Sequence, residues 1–213
     1  MHDIVERLVS IKKEIQSNNS KAEIVAISKT FPINKILPLI NFGHVNFGEN
    51  KIQEAVEKWT DIKKDFNNIK LHFVGKLQSN KVKYALPLFD YIHSLDSIKL
   101  AEKIANEQQK KKFKPKIFIQ VNIGREVQKS GIEIENLEKF YSECKKNYDL
   151  NIIGLMCLPP NEKNPNEYFS QMQILKNKLN LNDLSMGMTN DYIEALNYEA
   201  TFIRIGSKIF GER

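Results

Sequence analysis

Glu23-Ile24-Val25-Ala26-Ile27-Ser28-Lys29-Thr30 is a short apolar run that ends abruptly in polar residues. Consecutive apolar residues bounded in this way read as a strand buried on both faces, as in a parallel sheet. Before it lies a helix-like stretch over 3–16 with Ile4, Val5, Leu8, Val9, Ile11 and Ile15 near a helical period. After it Pro32 turns the chain, and the same alternation recurs to the end. Helix-like 33–41 leads to a strand at 44–47, 50–64 to 70–74, and 79–86 to 91–94. Helix-like 97–111 leads to 116–121, 133–146 to 152–156, 165–179 to 183–186, and 189–197 to 201–205. Strands alternating with helices predict a parallel sheet with crossover helices. Eight such units after one extra N-terminal helix point to a closed (β/α)₈ barrel of the TIM type, with residues 1–213 forming one domain. The rival is an open doubly wound sheet; the count of eight, and the lack of a GxGxxG after the first strand, favour the barrel.

The composition sets limits on partners. Of 213 residues, 41% are hydrophobic and 27% charged, as in a globular protein with its own core. The net charge of +6 would suit nucleic acid, but acids are interleaved with the lysines and no aromatic-basic stripe accompanies them. The densest cluster, Lys110-Lys111-Lys112 with Lys114 and Lys116, reads as a solvated helix end that complements the helix dipole. Cys144 and Cys157 lack the spacing of a metal site and read as reduced packing residues. The N-terminus mixes acids with lysines, unlike a signal peptide. No apolar run approaches the roughly 18 residues that cross a bilayer. The expectation is a cytoplasmic monomer without nucleic-acid or membrane partners.

In a parallel barrel, chemistry gathers at the C-terminal ends of the strands. Lys29 stands at such an end, behind a fully apolar strand. Partial desolvation there favours a neutral amine able to attack a carbonyl, although a lysine can also pack its stem and send its ammonium to water. Arg204 closes the last strand and is one of only four arginines: Arg7, Arg125, Arg204 and Arg213. An arginine at a barrel mouth needs an acceptor. That acceptor is either a phosphate, carboxylate or ring nitrogen of a ligand, or a neighbouring acid such as Glu49 or Glu199. Gly206-Ser207 and Ser185-Met186-Gly187-Met188 follow or end the last two strands, where barrels often build a phosphate site; two ordinary turns would also explain them. His44, His72 and His93 lie on or beside strands and read as hydrogen-bonded core residues.

Several motifs, taken together and in order, resemble one family. They are Ala26-Ile27-Ser28-Lys29-Thr30, Phe47-Gly48-Glu49-Asn50, Gln53-Glu54, the run from His72 to Lys81, Lys129-Ser130-Gly131, Gly154-Leu155-Met156, Leu184-Ser185-Met186-Gly187-Met188 and Arg204-Ile205-Gly206. The chain is similar, from about residue 4 to its end, to the YggS/PROSC family of pyridoxal 5′-phosphate (PLP) homeostasis proteins. The resemblance implies a fold-type III PLP barrel like the N-terminal domain of alanine racemase. It makes Lys29 the residue that holds PLP as a Schiff base, and Arg204 the partner of the pyridine nitrogen. Ser185, Gly206 and Ser207 become phosphate-binding positions, Asn50 lies beside the cofactor, and Met188 is in the same loop. An arginine at that nitrogen keeps it unprotonated and weakens the ring as an electron sink. The sequence after the eighth strand leaves no room for the second domain that gives racemases a catalytic tyrosine. The implied role is therefore buffering or delivery of PLP, possible recipients being apo PLP enzymes. The alternatives are a slow amino-acid racemase, or a phosphate-binding isomerase barrel without PLP.

Overall fold

A computed structural model describes residues 2–161 and 164–212. Eight parallel strands close a barrel in chain order: β1 (Glu23–Ile27), β2 (Asn46–Glu49), β3 (Lys70–Phe73), β4 (Tyr91–Leu95), β5 (Lys116–Val121), β6 (Asn151–Cys157), β7 (Asp183–Met188) and β8 (Phe202–Ile205). The seam is the β1–β8 pairing, in which Val25 lies opposite Arg204 and Ala26 opposite Ile205. Around the strands run α1 (Asp3–Ser17), α2 (Ile33–Asn41), α3 (Ile52–Trp59), α4 (Ile62–Asp65), α5 (Val82–Ala85), α6 (Ile98–Lys111), α7 (Leu137–Asn147), α8 (Asn166–Lys178), α9 (Tyr192–Leu196) and α10 (Ser207–Phe210). Among the described residues, no helix is long and apolar enough to cross a membrane. In the loop-like stretch at 161–166, residues 162 and 163 lie outside the described residues.

The expected elements are present, with three differences. The second strand runs over Asn46–Glu49, not 44–47. The His44 backbone N–H is taken by the Leu39 carbonyl at 2.9 Å, so it belongs to the exit of α2 and not to the ladder. Gly48 lies inside the strand, and it makes room for Ile27, since a Cβ there would meet Ile27 Cδ1 at 2.5 Å. The expected helix over 50–64 is broken into α3 and α4, and the four-residue α10 is too short to leave a period in the sequence.

Strand alternation divides the apolar residues between two cores. One lies between sheet and helices. The other fills the barrel itself with Val25, Ile27, Tyr91, Phe118, Met156 and Phe202. Polar groups share that interior. His72 stacks on Tyr91 with centroids 4.1 Å apart, and His93 stacks on Phe118 at 4.4 Å. A continuous hydrogen-bonded line crosses the barrel. Asn46 Nδ2 donates to Glu23 Oε2 at 2.6 Å, and Asn46 Oδ1 meets His72 Nε2 at 3.0 Å. His72 Nδ1 meets His93 Nε2 at 3.0 Å, and His93 Nδ1 meets Ser185 Oγ at 2.9 Å. Ser185 Oγ in turn accepts from Arg204 Nη1 at 2.6 Å.

Burial pushes the His72 and His93 imidazoles well below their ordinary pKa, and pushes His44 down to about 4. Unfolded, these rings take up protons below about pH 6.5. Folded, they refuse them, so the unfolded state binds more protons and stability falls as the pH drops from about 6.5 towards the depressed values. Each ring should remove up to about 1.4 kcal/mol per pH unit in that window. Urea titrations at about pH 7.5 and about pH 5 test this: the midpoint should be lower in acid. In His72→Phe and His93→Phe proteins that fold, the difference should shrink. A midpoint that does not move between those two pH values would refute the neutral interior.

Candidate functional site

The C-terminal ends of the strands surround a cavity of about 900 Å³, lined among others by Lys29, Asn50, Met188, Arg204, Gly206 and Ser207. Lys29 reaches it by strand parity. Val25 and Ile27 face the barrel interior, so the residue two further on faces its mouth. Behind Lys29 the backbone is held under strain. Thr30 has φ of 68°, a left-handed conformation that β-branched residues avoid. Its N–H donates to Glu54 Oε1 at 2.6 Å, and the Ser28 carbonyl accepts from Lys58 Nζ at 2.9 Å and from the Phe31 N–H at 3.1 Å. Glu49, fully buried, turns Oε1 to Ser28 Oγ at 2.7 Å, Trp59 Nε1 at 3.0 Å and Lys58 Nζ at 3.0 Å. Burial pushes the Glu54 carboxyl up, but the Thr30 N–H and the Lys58 ammonium outweigh it and hold the group below its ordinary range. The turn that presents Lys29 is thus clamped from the helix side.

Arg204 stands across the β1–β8 seam, almost fully buried. Nη1 donates to Ser185 Oγ and Nη2 to the Cys157 carbonyl at 2.8 Å. Neither candidate acid meets it: Glu49 pairs with Lys58, and Glu199 with Lys176. No carboxylate among the described residues forms an ion pair with this guanidinium. The neighbouring Cys157 thiol, pushed up to about 12 by burial, supplies no thiolate. Burial also lowers the pKa of the arginine itself. A guanidinium has five N–H donors, and two bonds leave the others for whatever fills the cavity.

The third wall comes from the ends of β7 and β8. Gly206 leads into α10, and Ser207 Oγ lies 3.4 Å from Thr189 Oγ1; all three line the cavity. A Cβ on Gly206 would approach Ile27 only to 3.5 Å, an ordinary contact, so the protein itself does not demand glycine there. Met188 lines the same wall, and its N–H closes the turn onto Asp191 Oδ1 at 2.6 Å. Helix α1 fastens α10 from outside. Lys208 pairs with Glu14 at 3.0 Å, the Tyr192 hydroxyl joins the same carboxylate, and Arg7 donates to the Ile209 carbonyl at 3.4 Å. On the opposite side Asn50 lines the cavity with a buried Oδ1 that has no hydrogen-bond partner.

Six of the seven residues singled out from the sequence thus share one cavity. Ser185 does not line it. Its hydroxyl is fully buried beneath Arg204, and the hydroxyl that meets Ser207 belongs to Thr189. The chain bulges between Ser185 and Met188, and Gly187 has φ of +88°, with a Cβ there 2.7 Å from Ala195 Cβ. Simple alternation therefore fails along this strand. Thr189 directly follows the Met188 motif, so its hydroxyl was visible in the sequence. The clamp of Glu54, Lys58 and Trp59 had a weaker signal, in the Gln53-Glu54 pair.

The family model described as alanine racemase, N-terminal domain, matches residues 3–213. A pyridoxal phosphate homeostasis protein of Aquifex aeolicus is 35% identical over 219 residues, spanning 99% of this chain and 95% of that one. The structure of PipY from Synechococcus elongatus with PLP bound matches with a TM-score of 0.88 at 31% identity, over 98% of this chain and 100% of PipY. An alanine racemase of Clostridium difficile matches with a TM-score of 0.78 over 57% of its own length; at 12% identity that likeness concerns the fold alone. With both sequence matches running nearly end to end on a barrel of this shape, the chain belongs to the family of pyridoxal phosphate homeostasis proteins, built on the alanine racemase N-terminal domain.

Proposed function

We propose that the barrel mouth binds PLP with Lys29 as its covalent anchor, and that the protein buffers and delivers this cofactor without strong turnover of its own. One observation carries the reading. A buried guanidinium that forms no ion pair with a carboxylate among the described residues lines the same cavity as a lysine on a clamped turn. PLP brings an aldehyde that condenses reversibly with a primary amine, a ring with a basic nitrogen, and a phosphate. Each meets a matching group here. Lys29 supplies the amine. Arg204 supplies N–H donors to the ring nitrogen and holds it unprotonated. Gly206, Ser207 and Thr189 form the wall suited to the phosphate, where a bare backbone and two hydroxyls meet. Asn50 lines the cavity beside the space for the ring, and Met188 covers the edge of the phosphate wall. Ser185 acts one layer deeper, through Arg204.

Holding is favoured over turnover by the lack of a tyrosine, cysteine or histidine in the described lining; besides Lys29 and Arg204, its titratable groups are Lys76, Lys129, Asp191, Glu194 and Glu212. Racemisation and transamination need positioned acid–base groups, which usually contribute about 10²–10⁴-fold. A slow racemase stays the rival reading, since the fold is shared with alanine racemase. Apo PLP enzymes are the proposed recipients, and a cytoplasmic monomer the proposed state.

Lys29→Ala should abolish the PLP adduct trapped by borohydride, read by mass spectrometry of peptides. An adduct found mainly on Lys76 or Lys129 would move the anchor. Gly206→Val should weaken PLP binding by roughly tenfold, about 1.4 kcal/mol, while circular dichroism stays unchanged. Wild-type affinity in that variant would remove this wall from the phosphate site. Turnover of alanine and other common amino acids should stay below about 1 s⁻¹, the low end of ordinary enzymes. The same preparation should reactivate an apo PLP enzyme. Faster turnover promotes the racemase, and failure to reactivate ends the delivery role.

A further inference from the structure

The hydrogen-bonded line inside the barrel can have only one polarity. The Glu23 carboxylate accepts and does not donate, so Asn46 must give it Nδ2 and turn Oδ1 to His72 Nε2. That nitrogen must then carry a proton. His72 is fully buried and neutral, which leaves Nδ1 as a lone pair and obliges His93 Nε2 to donate. His93, equally buried, is left with a lone pair on Nδ1, so the Ser185 hydroxyl must donate to it. The Ser185 oxygen is then free to accept from Arg204, which can only donate. The line starts on a cation and ends on a carboxylate, with every bond pointing the same way. Bonds aligned like this polarise one another.

A barrel interior that only needed filling would use apolar side chains, as Val25, Phe118, Met156 and Phe202 do here, since each buried polar group costs free energy unless fully bonded. Four polar side chains joined end to end between Glu23 and Arg204 need another reason.

We propose that His93 and His72 are positioning residues for Arg204: their fixed tautomers hold Ser185 as an acceptor beneath the guanidinium and so set the face it presents to the ring nitrogen of PLP. The ligand in this statement rests on the PLP reading of the mouth; the order of protons along the line does not. A displaced guanidinium would leave the anchor at Lys29 intact while changing the electronic state of the ring.

Two measurements test this. The first is a long-range ¹⁵N–¹H correlation spectrum of histidine-labelled protein without PLP. Both rings should be neutral and protonated at Nε2. A proton on Nδ1 of either ring, or an imidazolium at neutral pH, overturns the line. The second compares His93→Asn with His93→Phe, reading PLP affinity and the absorption maximum of the bound cofactor. Asparagine places Oδ1 near the position of Nδ1 and still accepts from Ser185. It should keep the wild-type absorption maximum and most of the affinity. Phenylalanine fills the space against Phe118 but accepts nothing; it should shift the band and lose roughly 10–100-fold in affinity, as supporting-shell losses do at other sites. The reverse order, with phenylalanine closer to wild type, shows a filling role and overturns the proposal. Should neither variant fold, the wild-type tautomers decide alone. Wild-type protein that takes up no PLP overturns the reading of the mouth, whereas a wrong tautomer with normal uptake overturns only the positioning line.

Discussion

A guanidinium buried at the end of a closed barrel must be given acceptors, because an uncompensated charge in a low-dielectric interior is costly by several kcal/mol. Arg204 is in that position, and much of the barrel follows from how it is served. The Cys157 carbonyl, at the end of β6, takes one donor. The Ser185 hydroxyl takes another from β7, and two histidines keep that hydroxyl correctly turned. Among the described residues no carboxylate forms an ion pair with it. Its remaining donors lie at a cavity and not in a closed plug.

Lys29 is served in the opposite way. It lines the cavity, and the backbone around it is ordered by the neighbouring elements. Thr30 adopts a conformation that costs on the order of 1–3 kcal/mol. It persists because Glu54, Lys58 and Glu49 bond the turn from α3 and β2. A backbone held in this way fixes where the Lys29 side chain starts, as the proposed covalent anchor would require.

The sequence displayed the barrel well because its signal is the repeated exchange of apolar runs for helical periods, which survives small errors of boundary. The shift of β2 escaped because glycine has two meanings: Gly48 makes room for Ile27 within a strand, where composition suggests a turn. Lys29 and Arg204 are legible as barrel-mouth residues because both sit at strand ends, and the structure places both on one cavity. That Ser185 lies beneath Arg204 and outside the cavity lining depends on a contact 19 positions away, which no local pattern reports. The clamp on Thr30 left only a faint local trace, in the Gln53-Glu54 pair. Its partners lie 24 or more positions away, and no local pattern reports a contact of that range.

The seam between β1 and β8 joins the second element of the fold to one of its last. Lys29 and Arg204 stand on either side of it, and α1 fastens α10 across the same gap. A contact between residues so distant in the chain carries a large loop-closure cost, and it needs β8 to be present. On the ribosome, a nascent barrel with seven strands would hold its lysine next to an open edge, with no arginine and no phosphate wall. Such a fragment has no means of sequestering a reactive aldehyde in a defined pose. On the proposed reading of the mouth, capture of PLP would coincide with completion of the barrel, and a pool of bound cofactor would count only finished molecules.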